Sequence, residues 1–232
     1  MAKEDNLQTS LYFQTPIYHI EVPEWVSHVN KVCDKYIKEA KFRNKKIIKE
    51  REKKLKKKIG DFLMSHHSGS MINDPDLKEF QEFIGYTSLN CMDYFGYDMS
   101  KYELMWTELW VQEFSKQGGG HHEGHIHYDN HMSGFYFLKC SDRTAVPYFK
   151  DPRLAKVMSD LPLKSSTEVS MASPIIQYNP KPGTMIFFPS YLEHGFTVDA
   201  GIDDYRFVHF NLQAVRKLLT EHLKGINVKS KK

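Results

Sequence analysis

Apolar residues in the first half of the chain recur every three or four positions, the spacing of a helix with one buried face. This pattern runs through residues 25–58, which contain no Gly or Pro, and again through residues 76–95. Residues 65–75 contain Gly, Pro and three Ser, and they predict a surface loop that includes His66 and His67. The sequence therefore predicts two helices near the start of the chain.

The second half of the chain changes to short runs of β-branched and aromatic residues. Residues 102–114 alternate between polar and apolar positions, as in a strand with one buried face. Further short runs follow, separated by turns that contain Gly or Pro. Several strands after a helical lead predict an α+β, mainly β fold, a sandwich or barrel with helices packed outside. We expect a single domain over residues 1–232, with a helical lead over about 23–95 and a β core over about 100–216.

Positive charge is concentrated in one part of the first predicted helix. Residues 41–58, the basic segment, contain 11 Lys or Arg and two Glu, a net charge of +9 against +3 for the whole chain. The segment has few apolar residues, so we expect it to project from the body of the protein. It is either a solvated helix or a weak contact for an anionic partner such as nucleic-acid phosphates. Phe42 is its only aromatic residue, which argues against reading of bases.

Three features bear on the cellular compartment. Cys33, Cys91 and Cys140 are far apart and odd in number, so a disulfide framework is not expected. No apolar run approaches the roughly 18 residues of a membrane span, and the first residues lack the pattern of a signal peptide. We therefore expect a cytoplasmic protein with reduced thiols and no membrane partner.

Five of the 12 histidines lie in the segment HHEGHIHYDNH, residues 121–131. A zinc protease helix needs His-Glu-x-x-His, but here the second His comes one residue early, and the neighbouring Gly residues oppose a helix. On a strand, His125, His127 and Asp129 would share one face, because alternate residues point to the same side. Any adjacent pair of these three residues could bind one metal ion. The remaining histidines of the segment are expected near the ligands or on the surface; they are His121, His122 and His131.

A further metal ligand and an anchor for an acidic cosubstrate are available later in the chain. His194 follows the predicted strand TMIFFP, in a short loop beside Gly195. Two His and one carboxylate on one face of an ion leave three open positions, the arrangement of non-haem Fe(II) oxygenases. Arg206 stands 12 residues after His194 and could hold a carboxylate with its planar guanidinium. Its alternative role is a salt bridge to Asp203 or Asp204.

His-x-Asp, a distal His and an Arg about ten residues later together resemble the Fe(II)/2-oxoglutarate-dependent oxygenase superfamily. The chain is similar to a branch of prolyl-hydroxylase-like oxygenases, many of them from phages or marine bacteria. The similarity spans nearly the whole chain except the basic segment, and it rests on FQTPIY (13–18), HIHYDNHMSGFYFL (125–138), KDPR (150–153) and GTMIFFPSYLEH (183–194). The resemblance implies a double-stranded β-helix, or jelly-roll, core with Fe(II), 2-oxoglutarate and O2. If the protein is phage-encoded, the cytoplasm would be that of a host cell.

The resemblance leaves two registers open for the metal ligands. The branch shares His-x-His, which falls on His125 and His127, and prolyl-hydroxylase-like relatives have a Gly six residues before the first ligand, which matches Gly119. A carboxylate offsets the charge of the ion, and this favours His127 and Asp129 together with His194. His127 is a ligand in both registers. We prefer the register with Asp129 and keep His125 as the alternative.

One position departs from the family pattern. Many relatives carry a hydroxyl residue two positions after the Arg, where this chain has Val208. Tyr136, on the facing strand, is a possible substitute contact for the cosubstrate carboxylate.

The resemblance implies a hydroxylase whose substrate is a peptidyl side chain, a free amino acid or another small molecule. Two rival hypotheses stand beside it. One is a cupin-like dioxygenase that holds its metal with His125, His127 and His194 and needs no 2-oxo acid. The other is a jelly roll that binds a metal or ligand without catalysis.

Overall fold

The computed structural model describes residues 8–141, 143–157 and 161–217. The helices are α1 (Val26–Leu55), α2 (Lys78–Tyr94) and α3 (Leu154–Val157). The strands are β1 (Tyr18–Glu21), β2 (Ser65–His67), β3 (Tyr102–Phe114), β4 (His122–His125), β5 (Met132–Lys139), β6 (Pro147–Lys150), β7 (Ile175–Gln177), β8 (Thr184–Pro189), β9 (His194–Phe196) and β10 (Arg206–Arg216). Short 3-10 turns at Pro23–Trp25 and Pro75–Leu77 lead into α1 and α2, the two helices that the sequence predicts.

The strands form two antiparallel sheets with an aromatic core between them. One sheet has the order β1-β8-β5-β10-β3-β2, and the other has the order β4-β9-β6-β7. Phe135, Phe188 and Phe207 of the six-stranded sheet pack in one cluster with Phe149 and Phe196 of the four-stranded sheet. The expected α+β, mainly β fold is confirmed.

The helices cover the outer face of the six-stranded sheet. Val208 and Phe210 of β10 belong to a second apolar cluster, which they share with Val29 of α1 and Phe80 of α2. Phe207, one position away on β10, belongs instead to the core between the sheets. Alternate residues of a strand point to opposite faces, so this parity decides which β10 side chains face the helices and which face the opposite sheet.

The basic segment is the second half of α1, and two of its arginines contact backbone that follows the helix. Arg43 donates to the backbone carbonyl of His67 at 3.1 Å, and Arg51 donates to that of Phe62 at 2.9 Å. Lys56 ends the helix in the left-handed conformation, with a φ of 51°. The chain then turns back along the helix, which explains these contacts.

Two smaller expectations also meet the structure here. Ser65–His67 form the edge strand β2, so the loop prediction is wrong for these three residues. His66 is buried beside Asp61, whereas His67 is exposed as expected. The three cysteines are free thiols, as expected. None of the helices in the described ranges is long and apolar enough to cross a membrane.

Candidate metal centre

Histidine side chains from both sheets converge at one place. His125 on β4 and His194 on β9 are direct cross-strand partners. His127 follows β4, and its backbone N–H donates to the carbonyl of Ser190 at 3.0 Å, which holds it beside the other two. The ring centroids of His125 and His127 are 4.8 Å apart, those of His125 and His194 4.6 Å, and those of His127 and His194 5.1 Å.

The nitrogen atoms of these three rings are arranged as metal ligands. One nitrogen of each lies within 4.8 Å of the other two. Nδ1 of His125 and of His194 each lies 2.8 Å from a backbone carbonyl, that of Glu123 and of Leu192 respectively. A carbonyl only accepts, so Nδ1 carries the proton and Nε2 keeps its lone pair. Nε2 of His127 and of His194 is buried and has no hydrogen-bond partner among the described residues.

The buried rings are neutral, which is the form that binds a metal. Burial, and after it the neighbouring His125, lowers the pKa of His127 to about 4. Burial also holds the pKa of His194 well below its ordinary value. Neither imidazole has to lose a proton at pH 7 before it binds a cation.

The other histidines of the segment surround this group. His122 is half-buried and stacks on His125, with a centroid distance of 4.5 Å. Burial lowers the pKa of His122 to about 4. His121 and His131 are exposed. These positions agree with the expected places near the ligands or on the surface.

Asp129 lies outside the histidine group, which departs from the register that we preferred. β4 ends at His125, so the alternation that would have placed Asp129 on the face of His125 and His127 does not continue. Asp129 is exposed in a turn, with a φ of 60°, a left-handed conformation that Asp tolerates. It belongs to neither of the two potential metal-binding groups in the described part of the chain.

Arg206, the expected cosubstrate anchor, is hydrogen-bonded to residues outside the histidine group. Its Nε donates to Oε2 of Glu113 at 2.7 Å. Its Nη1 donates to Asp34 at 2.7 Å and to the side chain of Asn30 at 2.6 Å. The strand parity explains this placement, because Arg206 shares the helix-facing side of β10 with Val208. Its donors are therefore occupied by the α1 side of the sheet.

Tyr136, the expected substitute contact for the cosubstrate, is also engaged on the helix side of the sheet. Its hydroxyl donates to the carbonyl of Val22 at 2.8 Å, and its ring packs against Phe80 with a centroid distance of 5.1 Å. Tyr136 thus faces the helices, while Phe135, one position before it, faces the histidines. It does not contact the site.

A pocket of about 320 Å³ opens beside the histidines. Its wall is formed by residues of the β2–α2 connection, of β3 and of the histidine segment, which are His67, Ser68, Gly69, Ser70, Thr107, Glu108, Leu109, Trp110, His122, His125 and His127. In the described ranges, this lining contains hydroxyl groups and one carboxylate but no Lys or Arg. An anionic ligand in the pocket would meet hydroxyl and imidazole groups and also the carboxylate of Glu108.

Two residues that the sequence did not predict, Glu108 and His209, also lie at the site. With His127 they form a second group whose ligand atoms lie within 4.8 Å of one another. His209 lies in the apolar run RFVHFN, where a single His is easily taken for a core residue. Strand alternation could have found His209. His209 and Asn211 lie on the same face of β10 as Phe207, which points between the sheets.

Comparison with known families identifies the kind of domain that contains this site. Residues 108–211 match the sequence model of a family described as "Putative 2OG-Fe(II) oxygenase". The match runs from Glu108 on β3 to Asn211 on β10 and includes every histidine of the two groups. These residues form a 2OG-Fe(II) oxygenase domain. The domain is that of an Fe(II)- and 2-oxoglutarate-dependent dioxygenase, with O2 as the oxidant, and the resemblance to this superfamily noted in the sequence is confirmed.

One solved structure supports the fold of this oxygenase domain, and a second is reported beside it. The carbocyclase SnoK from nogalamycin biosynthesis, described as non-heme and alpha ketoglutarate dependent, is 10% identical over 92% of this chain and 87% of its own, with a TM-score of 0.54. The collagen prolyl hydroxylase vCPH of Paramecium Bursaria Chlorella virus-1 is 15% identical over 86% of this chain and 96% of its own, with a TM-score of 0.48. The similarity to SnoK confirms the jelly-roll core.

A further structural match and a search of curated sequences add little to this fold assignment. A 2OG-Fe(II) oxygenase family protein from Burkholderia pseudomallei is 13% identical over 61% of this chain, with a TM-score of 0.43, and the match spans 59% of that protein. No curated protein sequence gives a match.

The residues of the oxygenase domain fit a metal ion, whereas Arg206 is not free to hold the cosubstrate. Three imidazoles with available nitrogen atoms suit Fe(II). Arg206 does not fit the far carboxylate of 2-oxoglutarate, because Glu113, Asp34 and Asn30 occupy its donors. We therefore expect binding of the cosubstrate to depend on groups other than Arg206.

Proposed function

We propose that the oxygenase domain hydroxylates a peptidyl or amino-acid side chain, with Fe(II) held by His125, His127 and His194. The observation that supports this proposal is the convergence of three imidazoles, each of which has a nitrogen atom available for a metal. Three protein ligands leave further coordination positions open. When bound, Fe(II) supplies the redox chemistry with O2 and 2-oxoglutarate that defines this family.

The chain's own residues orient the ligands and keep water away from one side of them. The carbonyls of Glu123 and Leu192 fix the rings of His125 and His194, as outer partners of metal-binding histidines do. Three aromatic rings surround His194, with centroid distances of 5.6, 6.3 and 4.5 Å, and these are Phe135, Phe149 and Phe188. This apolar wall excludes solvent from the core side, so reactants approach from the pocket.

The pocket supports a substrate of modest size. Its volume of about 320 Å³ is at the lower end for ligand sites, which suits one side chain or a small metabolite. Gly69 and Ser70 in its wall are exposed, so the pocket reaches the surface, and one side chain of a longer peptide can enter it. The hydroxyl groups of Ser68 and Thr107 and the indole of Trp110 offer polar and apolar contacts.

Formation of succinate from 2-oxoglutarate by the Fe(II)-loaded protein tests the proposal. We expect succinate to form with Fe(II) and O2, and to form faster when a peptide or amino-acid substrate is present. Mass spectrometry should show that this substrate gains one oxygen atom. His194→Gln should abolish the turnover, whereas His19→Gln, at an exposed position on β1, should leave it unchanged.

The same assay distinguishes the two rival hypotheses. Oxygenation of a substrate without 2-oxoglutarate would favour a three-His dioxygenase of the cupin type. Metal binding without succinate and without oxygenated product would favour a jelly roll that only binds. Either result would overturn the proposed function.

A further inference from the structure

His209 is buried with two unpartnered nitrogen atoms. It is 1% exposed and lies on β10 between its cross-strand neighbours, Trp110 on β3 and Phe135 on β5. Its ring centroid is 4.5 Å from that of Trp110, 5.3 Å from that of Phe135 and 4.6 Å from that of His127. Neither ring nitrogen has a hydrogen-bond partner within the ranges that the structure describes. An apolar residue would be more stable in this place, so the imidazole points to a ligand.

Glu108 is held toward His209 by its neighbours. Nδ2 of Asn211 donates to Oε2 of Glu108 at 2.8 Å, and Nε1 of Trp110 donates to the same oxygen at 3.3 Å. The carboxylate of Glu108 only accepts, so it fixes which way the amide of Asn211 points, and Oδ1 of this amide accepts from the hydroxyl of Ser133 at 2.6 Å. Oε2 of Glu108 then lies 3.7 Å from Nε2 of His209. That distance is too long for a hydrogen bond but suits two ligands of one ion.

His127 completes this group. One ligand atom of each of Glu108, His127 and His209 lies within 4.8 Å of the other two. Ligand atoms about 2.1 Å from an ion are at most about 4.2 Å apart, so small rotations bring the three onto one ion. Two imidazoles and one carboxylate suit Fe(II) and similar divalent cations.

We propose that Glu108, His127 and His209 form a second metal-binding position, which shares His127 with the first and competes with it for one divalent cation. β3 thereby supplies the carboxylate that the sequence analysis placed at Asp129. Two cations around one imidazole would repel each other strongly in a buried site, and Glu108 is the only carboxylate of the two described groups. The positions are therefore filled one at a time.

This proposal rests on the proposed metal site through His127, but it concerns where an ion binds rather than what it catalyses. Binding of Co(II) to variants of the full chain tests it, by equilibrium dialysis and visible absorption. His125→Gln/His194→Gln lacks two ligands of the first position and keeps the second position complete. We expect about one Co(II) per chain in this double variant, and binding at least about 10-fold weaker when His209→Gln or Glu108→Gln is added.

Glu103→Gln is the matched control, because Glu103 lies on the same strand as Glu108 and belongs to neither group. Added to the double variant, it should leave Co(II) binding unchanged. Thermal unfolding shows whether each variant is folded, and His194→Gln alone replaces the double variant if the latter does not fold.

The proposal of a second position is overturned if the folded double variant binds no Co(II). It is also overturned if Glu108→Gln and Glu103→Gln weaken Co(II) binding equally. Two Co(II) per wild-type chain would contradict filling of one position at a time. Failure of 2-oxoglutarate turnover would overturn the proposed function and leave this test unaffected, because its readout is metal binding.

Discussion

Replacement of Arg206 by Met separates a role in the fold from a role in cosubstrate binding. The guanidinium joins β10 to Glu113 on β3 and to Asp34 on α1. The side chains of Arg206 and Glu113 are 5% and 4% exposed, so this is a buried ion pair. Without Arg206, the carboxylate of Glu113 keeps only Lys41 as a cationic partner in the described structure.

The cost of this change follows from the burial. Removal of one partner of a buried ion pair typically costs about 3–5 kcal/mol, because it leaves a charge without its counterpart. Lys41 stays in place and Asp34 is 65% exposed, so we expect the lower end, about 3 kcal/mol. For a domain of this size, 1 kcal/mol changes the Tm by roughly 2–4 °C, which gives a decrease of roughly 6–12 °C.

Chemical denaturation followed by Trp fluorescence measures this loss. Arg143→Met is the control, because its ion pair with Asp203 is exposed and should contribute less than about 1 kcal/mol. Arg206→Met/Glu113→Leu removes both charges and should be more stable than Arg206→Met alone. The affinity of folded Arg206→Met for 2-oxoglutarate should equal that of the wild type. The reasoning is refuted if stability changes by less than about 1 kcal/mol while this affinity falls about tenfold, the result expected of an anchor.

Three further outcomes can be checked by unfolding measurements. Because the pKa of half-buried His127 is lowered to about 4 while an unfolded His titrates near 6.5, the metal-free protein should lose stability as pH falls from about 6.5 to 4, and His127→Gln should flatten this part of the curve. Gly134→Ala should cost more than about 2 kcal/mol, since its Cβ would lie 2.3 Å from a carbonyl oxygen of β8, whereas Gly85→Ala on α2 has open space and should gain up to about 1 kcal/mol. Tyr136→Phe should cost about 1 kcal/mol through the lost hydrogen bond to Val22, without changing the affinity for 2-oxoglutarate.

The elements of the fold that could be predicted from sequence are those with a strong local pattern. The apolar spacing and the absence of Gly and Pro over residues 25–58 predict most of α1, and the alternation over 102–114 predicts β3. The sheet order has no such signal. β1 pairs with β8, where Tyr18 lies opposite Phe187, and contacts so distant in sequence leave no periodic trace.

The site divides in the same way. Ligand type and spacing point to His125, His127 and His194, which the structure brings together. The position of Asp129 depends on where β4 ends. Asp129 itself lies in a turn with a positive φ, and this takes its side chain off the face that the histidines share.

Arg206 depends on the parity of β10, and sequence spacing alone does not show which side of the strand faces the helices. In addition, the pairing of β10 with β5 shifts register between Arg206 and Phe207, so strict alternation from the sequence does not give the facing of Arg206. His209 was missed because Glu108 and Trp110, which make it distinctive, come near it only in the folded chain.

The rate of succinate formation in Fe(II)-saturated His125→Gln and Asp129→Asn tests the central claim most directly, which is that three histidines hold the catalytic metal. Loss of outer partners of a metal ligand already costs 10–100-fold, so loss of the ligand His125 should lower the rate by more than about 100-fold. Asp129→Asn should keep the wild-type rate within about threefold, because Asp129 is exposed and outside the group. The opposite pattern, with turnover abolished by Asp129→Asn and retained in His125→Gln, would contradict the account.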